Sequence, residues 1–211
     1  MLEELKVKKV IISKQGENSE NFKKFKEIVN KKNIQVICVG LGSFDEPKKI
    51  QIEKNLYFDI LWPDNQNLID ENILNNNSVV CKLHYKNFSM LFTGDIEEPA
   101  EKAILKQYKN NIQVLNSTIL KVAHHGSKTS SIQEFLEAVK PKISLIGVGE
   151  NNKFGHPNDE VIERLENIGS KIYRTDKMGE ISIIVNSKGK IKIKKYKNAT
   201  KNSCKILKEG V

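Results

Sequence analysis

The segment from residue 119 to residue 139 constrains this chain most. An apolar run, Ile119-Leu120-Lys121-Val122-Ala123, stops at His124-His125-Gly126, and four hydroxyl residues follow, Ser127, Thr129, Ser130 and Ser131. Ile132, Phe135, Leu136 and Val139 then recur at helical spacing, and Ser131 with Glu134 three places on reads as a capping box. The pattern predicts a strand that ends at two adjacent histidines and a helix that begins among serines. Free N–H groups and partial positive charge at a helix start suit a phosphate or carboxylate. Imidazole beside an anion site is a hydrolase arrangement in outline.

The rest of the chain repeats this alternation. Residues 7–12 form a β-branched run, residues 18–32 carry Phe22, Phe25, Ile28 and Val29 at helical spacing, and residues 34–39 form a second run before Gly40-Leu41-Gly42-Ser43. This strand–helix–strand opening is an α/β signature. Strands are expected at 49–53 and 56–62, then a polar loop at 63–77. A hairpin is expected from 78–85 and 88–93 around Lys86-Asn87, followed by Gly94-Asp95 and a helix at 97–108. Strand 117–123 delivers the histidine pair, helix 130–139 follows, and strand 143–148 leads into the loop that ends at Gly155-His156-Pro157. Helix 158–168 and strands 171–174, 180–185 and 190–194 complete the pattern, with Ile191 and Ile193 facing inward.

With 211 residues and 38% hydrophobic content, one domain with a tail is expected. No apolar run approaches the roughly 18 residues of a membrane span. The N-terminus lacks the basic-then-apolar design of a signal peptide, so the chain as it stands is expected to be cytoplasmic and without membrane contact. Cys38, Cys81 and Cys204 are scattered; the first two fall in strand patterns and read as reduced core residues. The net charge of +9 is concentrated at the end, where residues 186–211 hold nine lysines and one acid, Glu209. A solvated basic tail is the preferred reading over a dedicated DNA patch.

Asp95, His124-His125 and His156 each follow a predicted strand, where loops converge over a rigid sheet. Singly, each has a plainer reading: a helix cap for Asp95, a turn residue for His156, one core and one surface residue for the pair. Together they include three of the four histidines, and that favours a site. His84, inside an alternating strand, reads as structural. Aspartate with histidine suits Zn²⁺, Mn²⁺ or Fe²⁺.

Four motifs occur in order: Leu91-Phe92-Thr93-Gly94-Asp95, His124-His125-Gly126-Ser127, Asn151-Asn152-Lys153-Phe154-Gly155-His156-Pro157 and Arg174-Thr175-Asp176-Lys177-Met178-Gly179-Glu180-Ile181. Asn77-Ser78-Val79-Val80 and Leu61-Trp62-Pro63 add weaker matches. In this series the chain resembles the metallo-β-lactamase domain of ComEC-type competence (DNA-uptake) proteins, from about residue 7 to residue 185. The resemblance implies an αββα sandwich with one or two divalent ions, Zn or Mn, at one edge. A metal-bound hydroxide would attack a phosphodiester there, or another acyl or phosphoryl centre. It makes Asp95 and His156 metal ligands, and His124 and His125 the catalytic pair that binds metal or donates a proton, with His125 also in the ligand set. Gly126, Ser127 and Ser130 would hold the phosphate, while Arg174, Thr175 and Asp176 shape a turn.

The family's main ligand motif, His-x-His-x-Asp-His, is absent; the first histidine is His84. The expectation is therefore an N-terminally incomplete metallo-β-lactamase-type domain over 1–185, with a closing strand and basic tail over 186–211. Metal should bind weakly, because affinity depends on ligand count. An uncovered sheet edge is expected to take a missing segment or a second copy. The function expected is a metal-dependent hydrolase, a phosphodiesterase or nuclease acting on DNA. The alternative is an inactive fragment that binds a partner or nucleic acid. Within a membrane-anchored competence protein the domain would lie outside the cytoplasm.

Overall fold

The structure, a computed structural model, describes residues 2–14, 19–40, 48–64 and 68–196. The sequence-predicted loop at 41–43, Cys204 and the tail after Tyr196 lie outside these. The chain opens with β1 (Lys9–Ser13), α1 (Glu20–Lys31) and β2 (Gln35–Val39). Ser19 caps α1 by accepting from the Phe22 N–H, and β1 and β2 pair in parallel. A cavity of about 420 Å³ separates Ile12, Ser13 and Phe22 from Leu74, Ser78 and Gly94.

The main sheet holds seven strands in the order β3-β4-β5-β6-β7-β8-β9. These are β3 (Lys49–Glu53), β4 (Leu56–Trp62), β5 (Val80–Tyr85), β6 (Phe88–Phe92), β7 (Ile119–Lys121), β8 (Ile143–Ile146) and β9 (Lys171–Arg174). Strands β3 to β6 are antiparallel, and β6 to β9 are parallel. Parallel neighbours need crossovers. Here these are α3 (Glu98–Gln107), α4 (Gln133–Val139) and α5 (Asp159–Asn167). All three lie on one face, where Ala100, Ile104, Phe135, Leu136, Val161 and Leu165 close over Leu91, Leu120, Val122 and Ile146. The other face carries Phe88, Met90 and Ile119 against Ile183, Val185 and Ile191. Those last three belong to the hairpin β10 (Glu180–Val185) and β11 (Ile191–Tyr196). Helices, main sheet and hairpin form an α/β fold with two β layers, as expected.

Because β6, β7 and β8 run in parallel, their C-terminal ends share one edge, and the chain leaves that edge at residues 93, 122 and 147. This places the candidate residues together. The expected polar loop at 63–77 contains one helical turn, α2 (Ile73–Asn76). Buried Trp62 fixes it by donating its indole N–H to the Asn76 carbonyl at 2.7 Å. Asn77 seals it through the Ile69 and Ile73 carbonyls. The predicted strand 117–123 is shorter than expected, Ile119–Lys121, and residues 123–126 form a tight turn with left-handed His124 and His125. Ile191 and Ile193 are half-buried and alternate with exposed Lys192 and Lys194. Cys38 and Cys81 are free and half-buried, and burial pushes the Cys81 thiol up to about 11.

Candidate active site

Asp95 leaves β6 through Gly94, whose φ of +55° and 2.7 Å clearance between an added Cβ and Ser78 Cβ require glycine. His124 and His125 occupy the turn after β7 with φ of 46° and 56°. Non-glycine residues rarely adopt such angles, and the surroundings must hold them there. The His124 N–H donates to the Gly94 carbonyl at 3.1 Å, joining the ends of β6 and β7. Gly126 packs against the third loop: a Cβ there would lie 2.6 Å from Pro157 Cβ, and its carbonyl accepts from the Asn158 N–H.

His125 Nδ1 lies 2.6 Å from the Gly147 carbonyl oxygen. A carbonyl only accepts, so Nδ1 carries a proton, and in the neutral imidazole Nε2 keeps its lone pair. In that form Nε2 faces Asp95 Oδ1 at 3.9 Å, about 0.6 Å wider than two ligands of a tetrahedral ion about 2 Å away. His124 Nδ1 is buried and sits 3.2 Å from Glu97 Oε1, off the line of a good hydrogen bond. Glu97 is itself fixed: its carboxylate accepts from Thr129 Oγ1 and Asn72 Nδ2, each at 2.9 Å. The His124 and His156 rings meet edge to face, centroids 5.9 Å apart. Asn152 brackets His156 by accepting from its N–H and donating to its carbonyl. Burial, then the nearby His124 and His125, hold the His156 imidazole below its usual pKa.

The four candidates thus converge, but as pairs. Among the described residues, no three His, Cys, Asp or Glu side chains are arranged to hold one metal ion. His125 Nε2 and Asp95 Oδ1 could share an ion only after closing by about 0.6 Å, and the set present does not fit a whole site.

The serines have another task than the one expected. Ser130 is fully buried, and its hydroxyl donates to the Ala123 and Ser127 carbonyls. Ser127 Oγ pairs with Thr129 Oγ1 at 3.0 Å. The Ser130 hydroxyl braces the histidine turn from inside and has no face on the cleft, while that of Ser127 is tied to Thr129. The capping box is also replaced. Ser131 has φ +59°, Ile132 takes the N-cap position, and the free N–H groups of Ser131 and Ile132 donate to Glu101 at 2.6 and 2.8 Å. The anion at this helix start is therefore the protein's own. Burial raises the Glu101 carboxyl to about 7, against the pull of those two N–H groups.

Sequence reasoning missed Glu97, Glu101 and Lys121. Glu97 looked like an ordinary first-turn acid, and Glu101 carried no signal of its own. Lys121 looked like an interruption in a strand; its ammonium donates to the Val122 carbonyl at 3.0 Å, and burial lowers its pKa while Asp95 opposes the shift. Arg174 and Asp176 form a two-point ion pair, with contacts of 3.1 and 2.6 Å, in the one-turn α6 (Thr175–Met178). Thr175 Oγ1 accepts from the Val148 N–H and donates to the Val148 carbonyl, pinning the start of the His156 loop.

Residues 1–150 match the metallo-beta-lactamase superfamily model. ComE operon protein 3 of Bacillus subtilis is 30% identical over 181 residues, covering 86% of this chain and 22% of that protein. Competence protein ComA of Neisseria gonorrhoeae is 34% identical over 124 residues, covering 59% and 17%. The uncharacterized protein YcaI of Escherichia coli is 34% identical over 115 residues, covering 54% and 15%. The chain spans about a fifth of the length of these curated relatives. A family match over more than half the sequence, on a fold whose parallel strand ends gather Asp95 and three histidines, makes this chain a member of the metallo-β-lactamase superfamily.

Proposed function

We propose that this chain supplies the later part of a metal-dependent phosphodiesterase that cuts DNA, with Zn²⁺ or Mn²⁺ as the ion. One observation carries the reading: His125, its Nδ1 locked on Gly147, turns Nε2 toward Asp95 at 3.9 Å at the shared end of parallel strands. Locking one imidazole nitrogen on a carbonyl is how proteins orient a ligating histidine. Asp95, His125 and His156 are the proposed ligands. When bound, the ion would supply a hydroxide nucleophile and charge neutralisation. His124, with Glu97 behind Nδ1, is the proposed proton carrier, leaving Nε2 to exchange a proton with the leaving group. Lys121 adds positive charge near Asp95. As they stand these three side chains do not surround one ion, so the proposal requires further ligands from another segment. The competence relatives support DNA as substrate. As a domain of a membrane-anchored uptake protein, the site would face outside the cytoplasm; among the described residues no helix is long and apolar enough to cross a membrane.

Calorimetric titration with Zn²⁺ and Mn²⁺, alongside a nuclease assay on labelled DNA, tests this. The 211-residue chain alone is expected to bind metal weakly and cut little. Fusion to a segment bearing His-x-His-x-Asp-His should restore both. In that fusion Asp95→Ala and His156→Ala should lose the metal, while His124→Ala should keep it and slow turnover roughly 10²- to 10⁴-fold. Tight stoichiometric binding by the chain alone would refute the incomplete site. A metal-loaded fusion that leaves phosphodiesters intact would refute the activity. A non-catalytic, nucleic-acid-binding role is the second reading, favoured by the nine lysines of residues 186–211.

A further inference from the structure

The loop after β8 presents Phe154 to solvent with 82% of its surface exposed, the most exposed of the large apolar side chains described. Its ring lies nearly parallel to the His156 ring, at 18° with centroids 5.9 Å apart. Between them and His125, Val148 and Asn152 opens a cavity of about 410 Å³. An aromatic ring left in water beside a candidate metal-ligating histidine is unfavourable for solubility and gains nothing for the core. Its place is explained by a planar partner that stacks on its open face.

We propose that Phe154 and His156 form a stacking platform for a nucleobase of single-stranded nucleic acid, next to the phosphodiester that the site would cut. Three observations select a base over another apolar group. The platform is aromatic and flat, the geometry on which bases stack in single-strand binding proteins. Exposed Lys128 and Lys153 stand on the two loops that border it and would offer positive charge to flanking phosphates. The Asn152 amide is committed to the loop: Nδ2 donates to the Gly149 and His156 carbonyls, and Oδ1 accepts from the His156 N–H. With that amide occupied, recognition falls to the ring face, so the subsite should accept every base with little sequence preference.

The subsite deepens the phosphodiesterase reading but is tested without turnover, so each can fail alone. Fluorescence anisotropy is measured with labelled single strands of about ten nucleotides, within the range one such binding surface covers. The buffer has near-physiological salt and no metal, and the protein is the full chain. Phe154→Ala should weaken binding about 5- to 100-fold, the loss of one base–aromatic stack. Phe154→Trp should restore it, and the new indole should be quenched as the strand binds, whereas Trp62 is buried. An abasic strand of equal length and charge should bind both wild type and Phe154→Ala as weakly as Phe154→Ala binds the strand with bases. Equal affinity of wild type and Phe154→Ala for the strand with bases would overturn the proposal. So would wild-type affinity for the abasic strand as high as for the strand with bases, which would assign the binding to lysines alone. Should Phe154→Ala fail to fold, the quenching of Phe154→Trp decides: none with saturating strand overturns the stack.

Discussion

Glu101 shows how much one buried carboxylate can organise. It has no exposed surface, and both oxygens take backbone N–H groups at the start of α4. Those N–H groups follow directly on Ser130, whose hydroxyl holds the histidine turn through Ala123. Glu101 therefore acts on His124 and His125 through the loop, as a positioning residue. Its folded pKa, about 7, is above its ordinary value of 4.5. The folded state then binds more protons than the unfolded chain between those values, so stability is greatest below about 4.5 and falls as pH rises through about 7. Glu101→Gln should remove this fall, worth up to about 3 kcal/mol, and should also disturb the loop, because an amide offers one acceptor where two N–H groups need one each. Urea unfolding from about pH 4 to about pH 8, compared between the two proteins, checks it. A parallel pH dependence in both would exclude Glu101 as its source. Asp95 and the histidines were legible as residues because polar groups stood where apolar strands stopped. Glu101 was not, because a buried acid and a surface first-turn acid are spelled alike.

Among the elements, α4 and the hairpin β10–β11 mark the two ways in which helix and strand patterns met their surroundings. The helical spacing of Phe135, Leu136 and Val139 correctly foretold a buried face. The start of α4 was misplaced by three residues, since Ser131 takes a left-handed conformation to meet Glu101 and cannot begin a helix. For β10, alternation foretold the strand, and the structure adds what its inner face covers: Phe88, Met90 and Ile119 of the main sheet. Ile183 belongs to this contact. Ile183→Asp would place a charge against that apolar cluster and should cost about 2–4 kcal/mol. Chemical denaturation measures it; a loss below about 0.5 kcal/mol would mean that the hairpin contributes little to the second layer.

At the scale of the molecule, the charge is unevenly spread, and the part after Tyr196 contributes Lys197, Lys201, Lys205 and Lys208 against Glu209. A chain ending at Tyr196 should show weaker non-specific DNA binding, with the slope of log affinity against log salt reduced by up to about 3. An unchanged slope in a salt titration would rule these lysines out as contacts. The sequence by itself determined the alternation of strands and helices, the two-residue turn between β5 and β6, and the four side chains of the candidate site. Each follows from local physics: apolar period, turn chemistry, and polar residues at the end of apolar runs. It also carried the family resemblance, because four motifs in order are themselves a local signal. Only the tertiary structure decided how those side chains relate. Parallel pairing of β6, β7 and β8 put their ends on one edge, and close packing of Gly94 on Ser78 and of Gly126 on Pro157 set the loops side by side. The tautomer of His125, the inward turn of Ser130, the carboxylate behind His124 and the open ring of Phe154 all depend on neighbours distant in the chain. Spacing along one segment carries no record of which carbonyl, carboxylate or solvent face another segment will bring to it.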